Sequence, residues 1–134
     1  MKKLLLLSAF IIPALCNAQC PTYLDVPADS IATVVKQIEN IAAVTLTANH
    51  DRDDRIDYND ATNSVHVRMF INDAGNVQSI AIVGKADVID NLYNNYFVPA
   101  VSAYKTQQAT TYIFTSKYKV VHVAANKEID IEHL

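Results

Sequence analysis

A chain of 134 residues with 51% hydrophobic residues and a net charge of −3 holds one domain and is too apolar for disorder. Its acidic balance excludes the basic footprint of a nucleic-acid binder. Two cysteines, at positions 16 and 20, exclude a disulfide-stapled scaffold.

The N-terminus carries Lys2 and Lys3, an apolar run over 4–15, and then Cys16-Asn17-Ala18. That order predicts a secretory signal peptide over 1–18, and the apolar run is too short to span a membrane. Removing residues 1–18, with Lys2 and Lys3, from 134 residues and 11 basic groups leaves 116 residues and 9 basic groups against 14 acidic ones, a net charge of −5. The product is expected to be exported, periplasmic or secreted, with no membrane span. Cys20 then has no intramolecular partner. Asn17 and Gln19 before Cys20, and Pro13 and Leu15 before Cys16, suit a lipid-anchored cysteine poorly.

Residues 19–28 read as an extended lead-in, because Pro21 and Pro27 disfavour helix. Asp29 or Ser30 is placed to cap a helix over about 30–43. There Ile31, Val34, Val35, Ile38, Ile41 and Ala42 recur at helical spacing. Residues 49–63 are polar and predict a loop, with a brief strand at 56–58. Val65, Val67, Met69 and Ile71 alternate with His66, Arg68 and Phe70, the two-residue period of a strand. Asp73 and Gly75 suit a hairpin turn, and a second strand follows over 77–83.

A second helix is expected over 86–98, with Val88, Ile89, Leu92, Tyr93, Tyr96 and Phe97 on its apolar face, until Pro99 ends it. One long final strand is predicted over 110–123. It places Tyr112, Phe114, Tyr118, Val120 and His122 on one side. The charged residues 126–134 read as a loose tail, and no internal repeat is visible. The domain is thus expected over 29–125. Its predicted fold class is α+β: a three-stranded antiparallel sheet with two helices packed on one face, in the order helix, hairpin, helix, strand.

This pattern resembles the C-terminal domain of TonB over about 65–120. The residues that carry the resemblance are the strand 65–71, the turn Asp73-Ala74-Gly75-Asn76-Val77, and Ile80 and Ile82. The helix exit Tyr96-Phe97-Val98-Pro99-Ala100 and the strand residues Tyr112-Ile113-Phe114 and Tyr118-Lys119-Val120 complete it. Val26-Pro27 stands where the family usually has Tyr-Pro, and Asn63-Ser64 where it has a Gly. The resemblance implies a binding module whose edge strand pairs with a protein or peptide of the cell envelope. An open edge accepts a partner through backbone hydrogen bonds. Along the last strand, Tyr112, Phe114, Ser116 and Tyr118 are the candidate partner-binding residues. Lys117 and Lys119 are the charges that would blunt the same edge.

The most suggestive segment for chemistry is 49–60. Counted from Asn49, oxygen ligands fall at Asn49, Asp51, Asp53, Asp57 and Asp60, with the Arg55 carbonyl at the seventh place. That spacing is similar to an EF-hand or dockerin loop and makes calcium the candidate cofactor. Asp54 stands where a Gly is usual, Asp60 replaces the longer Glu, and no exit helix follows. The alternative is a solvated acidic loop without a cofactor. His50, His66 and His122 form no close pair in sequence, and the chain has two glycines and no phosphate-cradling loop. No nucleophile, base and orienting group are brought together, so the chain is expected to be non-catalytic. A calcium-stabilised secreted adaptor and a small secreted enzyme inhibitor or immunity-type protein are the other functions consistent with a compact, acidic, exported domain.

Overall fold

The computed structural model describes residues 23–27, 30–98, 103–107, 110–114 and 118–134, with the backbone alone at 50, 51 and 103–107. Residues 1–18, where a signal peptide is expected, lie outside the described residues, as do both cysteines, Pro21 and Ser116.

Helix α1 spans Ile31–Ala42 and buries Ile31, Val34, Val35 and Ile38, the positions of the predicted apolar stripe. It ends where Ala43 takes a left-handed conformation at φ 53° and its N–H bonds back to the Glu39 carbonyl. The Glu39 side chain accepts the Leu46 N–H at 2.7 Å and so ties the helix to the strand that follows. Four strands then meander: β1 Leu46–Arg52, β2 Arg55–Asp60, β3 Val65–Ile71 and β4 Val77–Gly84. Helix α2, Ala86–Leu92, continues as a π-helical turn over Tyr93–Phe97. Four more strands follow among the described residues: β5 Ala103–Gln107, β6 Thr110–Phe114, β7 Tyr118–Val123 and β8 Glu128–His133.

All eight strands join one antiparallel sheet in the order β1-β2-β3-β4-β8-β7-β6-β5. The chain is therefore two copies of one unit, a helix followed by a four-stranded meander, joined where β4 pairs with β8. Val67 faces Ile82, Ile82 faces Ile129, and Ile129 faces His122 across successive strands. This face of the sheet and both helices share one apolar core. It includes Val65, Val67, Met69, Ile80, Ile82, Ile113, Val120, Ile129 and Ile131 from the strands, and Ile89, Leu92 and Phe97 from the second helical segment. Tyr23 of the lead-in is fully buried against Tyr96, Phe97 and Tyr118.

The expected three-stranded sheet is thus replaced by eight strands, and the sheet implied by the TonB resemblance is corrected with it. Most of the polar stretch 49–63 belongs to the hairpin β1–β2, turning at Asp53-Asp54, with Asn49 exposed and Arg55, Asp57 and Asn59 half-buried on the open face. The long final strand is two strands, β6 and β7, paired back on each other. The predicted loose tail forms β8, inside the sheet between β4 and β7. Its Ile129 and Ile131 are fully buried while Glu128, Asp130 and Glu132 point the other way.

Gly84 has a steric reason: a Cβ there would lie 2.3 Å from the Ser64 carbonyl oxygen. Gly75 takes φ 81° in the β3–β4 turn, where the Asn72 side chain accepts the Ala74 and Asn76 N–H groups at 3.0 Å each.

Because Ile131 fills the core where the two units meet, Ile131→Ala is expected to cost about 2–4 kcal/mol in urea unfolding. A loss below about 0.5 kcal/mol, as for a surface position, would contradict the central placement of β8.

Candidate functional site

Alternation along each strand sends every second side chain away from the helices. Among the described residues nothing covers this second face. It carries Arg55, Asp57 and Asn59 from β2, and His66, Arg68 and Phe70 from β3. Ser79, Ala81 and Val83 follow on β4, with Glu128, Asp130 and Glu132 on β8. Lys119, Val121 and Val123 of β7 and Tyr112 and Phe114 of β6 complete it.

The side chains are graded in size. The middle strands contribute short ones, and Asp130 lies in register between Ala81 and Val121, both only 8% exposed. The flanks contribute large ones: Phe70 is 37% exposed on one side and Phe114 39% on the other. The Tyr112 and Phe114 rings stack 6.5 Å apart. The face thus carries carboxylates and small apolar groups along its middle and aromatic and long basic side chains towards its flanks.

Charge is compensated unevenly across this face. On β2 and β3, Asp57 meets Arg55 at 2.8 Å and His66 at 3.4 Å. On β8, Lys119 reaches Glu132 at 2.9 Å, while no ion pair among the described residues reaches Glu128 or Asp130. Burial, with Glu128 and Glu132 on either side, pushes the Asp130 carboxyl up to about 6.

The predicted site residues scatter. Tyr112 and Phe114 lie on the open face, but β6 is paired on both sides and offers no free edge. Tyr118 is 1% exposed in the core, so it does not share a face with them. The structure thus corrects the expected edge: the outer strands are β1 and β5. Of the acidic segment, Asn49 and Asp57 face each other across the hairpin and Asp53 sits at its tip. Asp51 lies on β1 with its backbone alone described. Arg55 uses its side chain on Asp57.

Asp60 is at the opposite end of the hairpin, and its carboxylate is committed to a turn. It accepts the Ser64 hydroxyl at 2.6 Å, the Val65 N–H at 2.9 Å, and the Thr62 hydroxyl and N–H. Burial works to raise the Asp60 pKa, but these hydrogen bonds outweigh it and hold the carboxyl well below the usual range. A calcium loop needs these oxygens curled around one point, and an extended hairpin spreads them along its length. An open cleft of about 350 Å3 lies beside Asp53, Asp54, Asn72 and Asp73. There Asp54 is held low first by its hydrogen bond from Arg52. Among the described residues no group of three or more His, Cys, Asp or Glu side chains is spaced to hold a metal.

Beneath the sheet, His122 stacks on Tyr93 at 4.3 Å and faces Asp90 at 3.1 Å, and burial pushes the Tyr93 hydroxyl up to about 12. The tyrosines Tyr93 and Tyr118 pack the helices onto the sheet.

The residues that sequence reasoning missed are Glu128, Asp130 and Glu132. Their alternation with Ile129 and Ile131 is a strand signal that the charge of the segment obscured.

Two outcomes test this geometry. Asp60→Ala strips buried donors of their acceptor and is expected to cost about 2 kcal/mol or more at neutral pH. For Asp130 the folded pKa lies above the ordinary 3.8, so its contribution is fully present below about pH 4 and is lost as pH rises through about 6. Asp130→Asn should therefore melt about 4 °C higher than the parent at pH 7.5, after discounting for partial exposure, with the gap closing towards pH 4. A pH-independent gap would contradict the desolvated position of Asp130.

Comparison of this chain with family models, curated proteins and solved structures found no match.

Proposed function

We propose that this chain is an exported, non-catalytic binding module that receives an envelope protein or peptide on the open face of its sheet. The observation that carries the reading is a broad sheet face that no described element covers and that holds exposed Phe70 and Phe114 on its flanks. Large apolar side chains on a contiguous open surface mark interaction sites more often than solvated ones, and aromatic rings are favoured at interfaces. The signal-peptide pattern over 1–18 supports export. The absence of a paired nucleophile and base in the sequence supports a binding role.

Edge pairing, the mode used by TonB C-terminal domains, is a second reading. It moves to β1, an outer strand whose Thr47, Ala48 and Asn49 are exposed.

Pull-down from an envelope extract tests both. The Phe70→Ala/Phe114→Ala variant is expected to lose a partner that Lys36→Ala, an exposed helix variant, retains. Loss in Ala48→Pro with retention in the aromatic variant would move the site to β1. Retention by all three would overturn the proposal. A captured transporter segment or a captured enzyme separates the envelope module from the inhibitor.

A further inference from the structure

The identity of the protein received on the open face rests on the sheet-face reading above and follows from the balance of charge across that face. Within one copy most charges cancel. Arg55 meets Asp57 at 2.8 Å and Lys119 meets Glu132 at 2.9 Å. Two groups are left over. Arg68 on β3 takes part in no ion pair among the described residues. On β8 the carboxyl groups of Glu128 and Asp130 hydrogen-bond to each other, and no ion pair among the described residues reaches either. Lys105 stands at the far edge on β5, three strands from Asp130. Arg68, Ala81 and Asp130 lie on one cross-strand row, with β4 between the two charged strands. The backbones of Arg68 and Asp130 are thus about 10 Å apart, with only the methyl group of Ala81 between them. The middle of the face is positive on one side of β4 and negative on the other.

A surface patterned this way complements itself. A two-fold axis along β4, between two sheets stacked face to face, exchanges β3 with β8 and keeps each row in register. It sets Arg68 over the partner's Asp130, and Asp130 under the partner's Arg68, the reciprocal contact of an isologous interface. Stacked sheets lie about 10 Å apart, a gap that an arginine and an aspartate side chain span together. The seam carries Ser79, Ala81 and Val83, short side chains that let two sheets approach. A crossing of about 30° between packed sheets displaces the ends of the face most and its middle row least. Arg55 and Lys119 also meet across the two copies, but each is neutralised within its own. Phe70 stands one strand from the axis and is covered with it, and Phe114 comes to lie over the partner's β1. All strands but β5 overlap. At about 17 Å each they offer on the order of 600 Å2 per copy, so a pair buries about 1,200 Å2, the lower bound of a specific interface.

We propose that the open face is covered by a second copy of this chain, related by a two-fold axis along β4 and held by reciprocal Arg68–Asp130 ion pairs.

Sedimentation equilibrium of the full chain tests it. The parent is expected to form a dimer at high micromolar concentration, and a parent that stays monomeric there overturns the proposal. Arg68→Glu and Asp130→Arg are each expected to weaken dimerisation about tenfold or more, while Lys36→Glu, on the exposed side of α1, leaves it unchanged. Weakening in Lys36→Glu as large as in Arg68→Glu is an effect of net charge and overturns the proposal. The sharpest sample is an equimolar mixture of Arg68→Glu with Asp130→Arg. Each copy then carries the charge that the other lacks, and the mixture is expected to dimerise as the parent does. A mixture that stays monomeric overturns the proposal. Rescue confined to Arg68→Glu/Asp130→Arg within one chain does so too, because Arg68 then serves its own Asp130 across Ala81. If a reversal unfolds the chain, Arg68→Gln carries the test, and undiminished dimerisation there overturns it. Failure of the sheet-face reading looks different. A monomeric parent that still captures an envelope protein, lost in Phe70→Ala/Phe114→Ala, leaves the face standing with another occupant. A dimer abolished by Ala48→Pro and retained in Arg68→Glu moves the contact to β1 and overturns both.

Discussion

The pairing of β4 with β8 is the constraint on which the rest depends. Each half of the chain is a helix and four strands, and neither half can bury both edges of its own meander. Ile80 opposite Ile131 and Ile82 opposite Ile129 join the halves through the core, under both helices. Backbone hydrogen bonds across this seam satisfy two edges at once, and the apolar pairs remove water from one side of them. With the seam closed, the opposite side of the same strands becomes the middle of a continuous open face.

That arrangement explains why charge collects where it does. A strand with one buried face must alternate, so β8 needs polar side chains opposite Ile129 and Ile131. The chain supplies carboxylates at all three outward positions. A lone carboxylate in water costs little, but Asp130 lies between small apolar neighbours and two further acids. It therefore ionises at the expense of stability. Departures of this kind from local optimisation concentrate at functional surfaces.

The parts legible in the sequence were those with long, unbroken periodicity. Helix α1 and the hairpin β3–β4 announced themselves by apolar spacing and by the turn around Gly75. The rest hid for physical reasons. Residues 49–60 place polar side chains on the water-facing side of a hairpin, and the Asp53-Asp54 turn lacks Gly or Pro. The strand signal was thus lost in acidic composition. Between Phe114 and Tyr118 the even-numbered alternation continues unbroken, so β6 and β7 read as one strand. The reversal there puts Phe114 on the open face and Tyr118 in the core. Only two apolar residues, Ile129 and Ile131, mark β8, too few to outweigh its charges. The repeated order of elements leaves no trace in the sequence because the two units share architecture without sharing residues. The candidate site was legible only in Tyr112 and Phe114. Its acidic floor depends on β8 being a strand at all.

Placing the eighth strand in the middle of the sheet, beside the fourth, has a consequence for folding. As the polypeptide emerges from the ribosome, the first unit can form its helix and meander, but β4 remains an unpaired edge. The second unit offers β7 as another. Neither is satisfied until β8 is free to insert, and the contact of Ile80 with Ile131 then joins residues more than a third of the chain apart, which slows closure. Throughout that interval the nascent molecule presents two sticky margins to anything nearby. A chain built this way cannot close its core from the first unit alone, because the seam forms only when β8 inserts between β4 and β7.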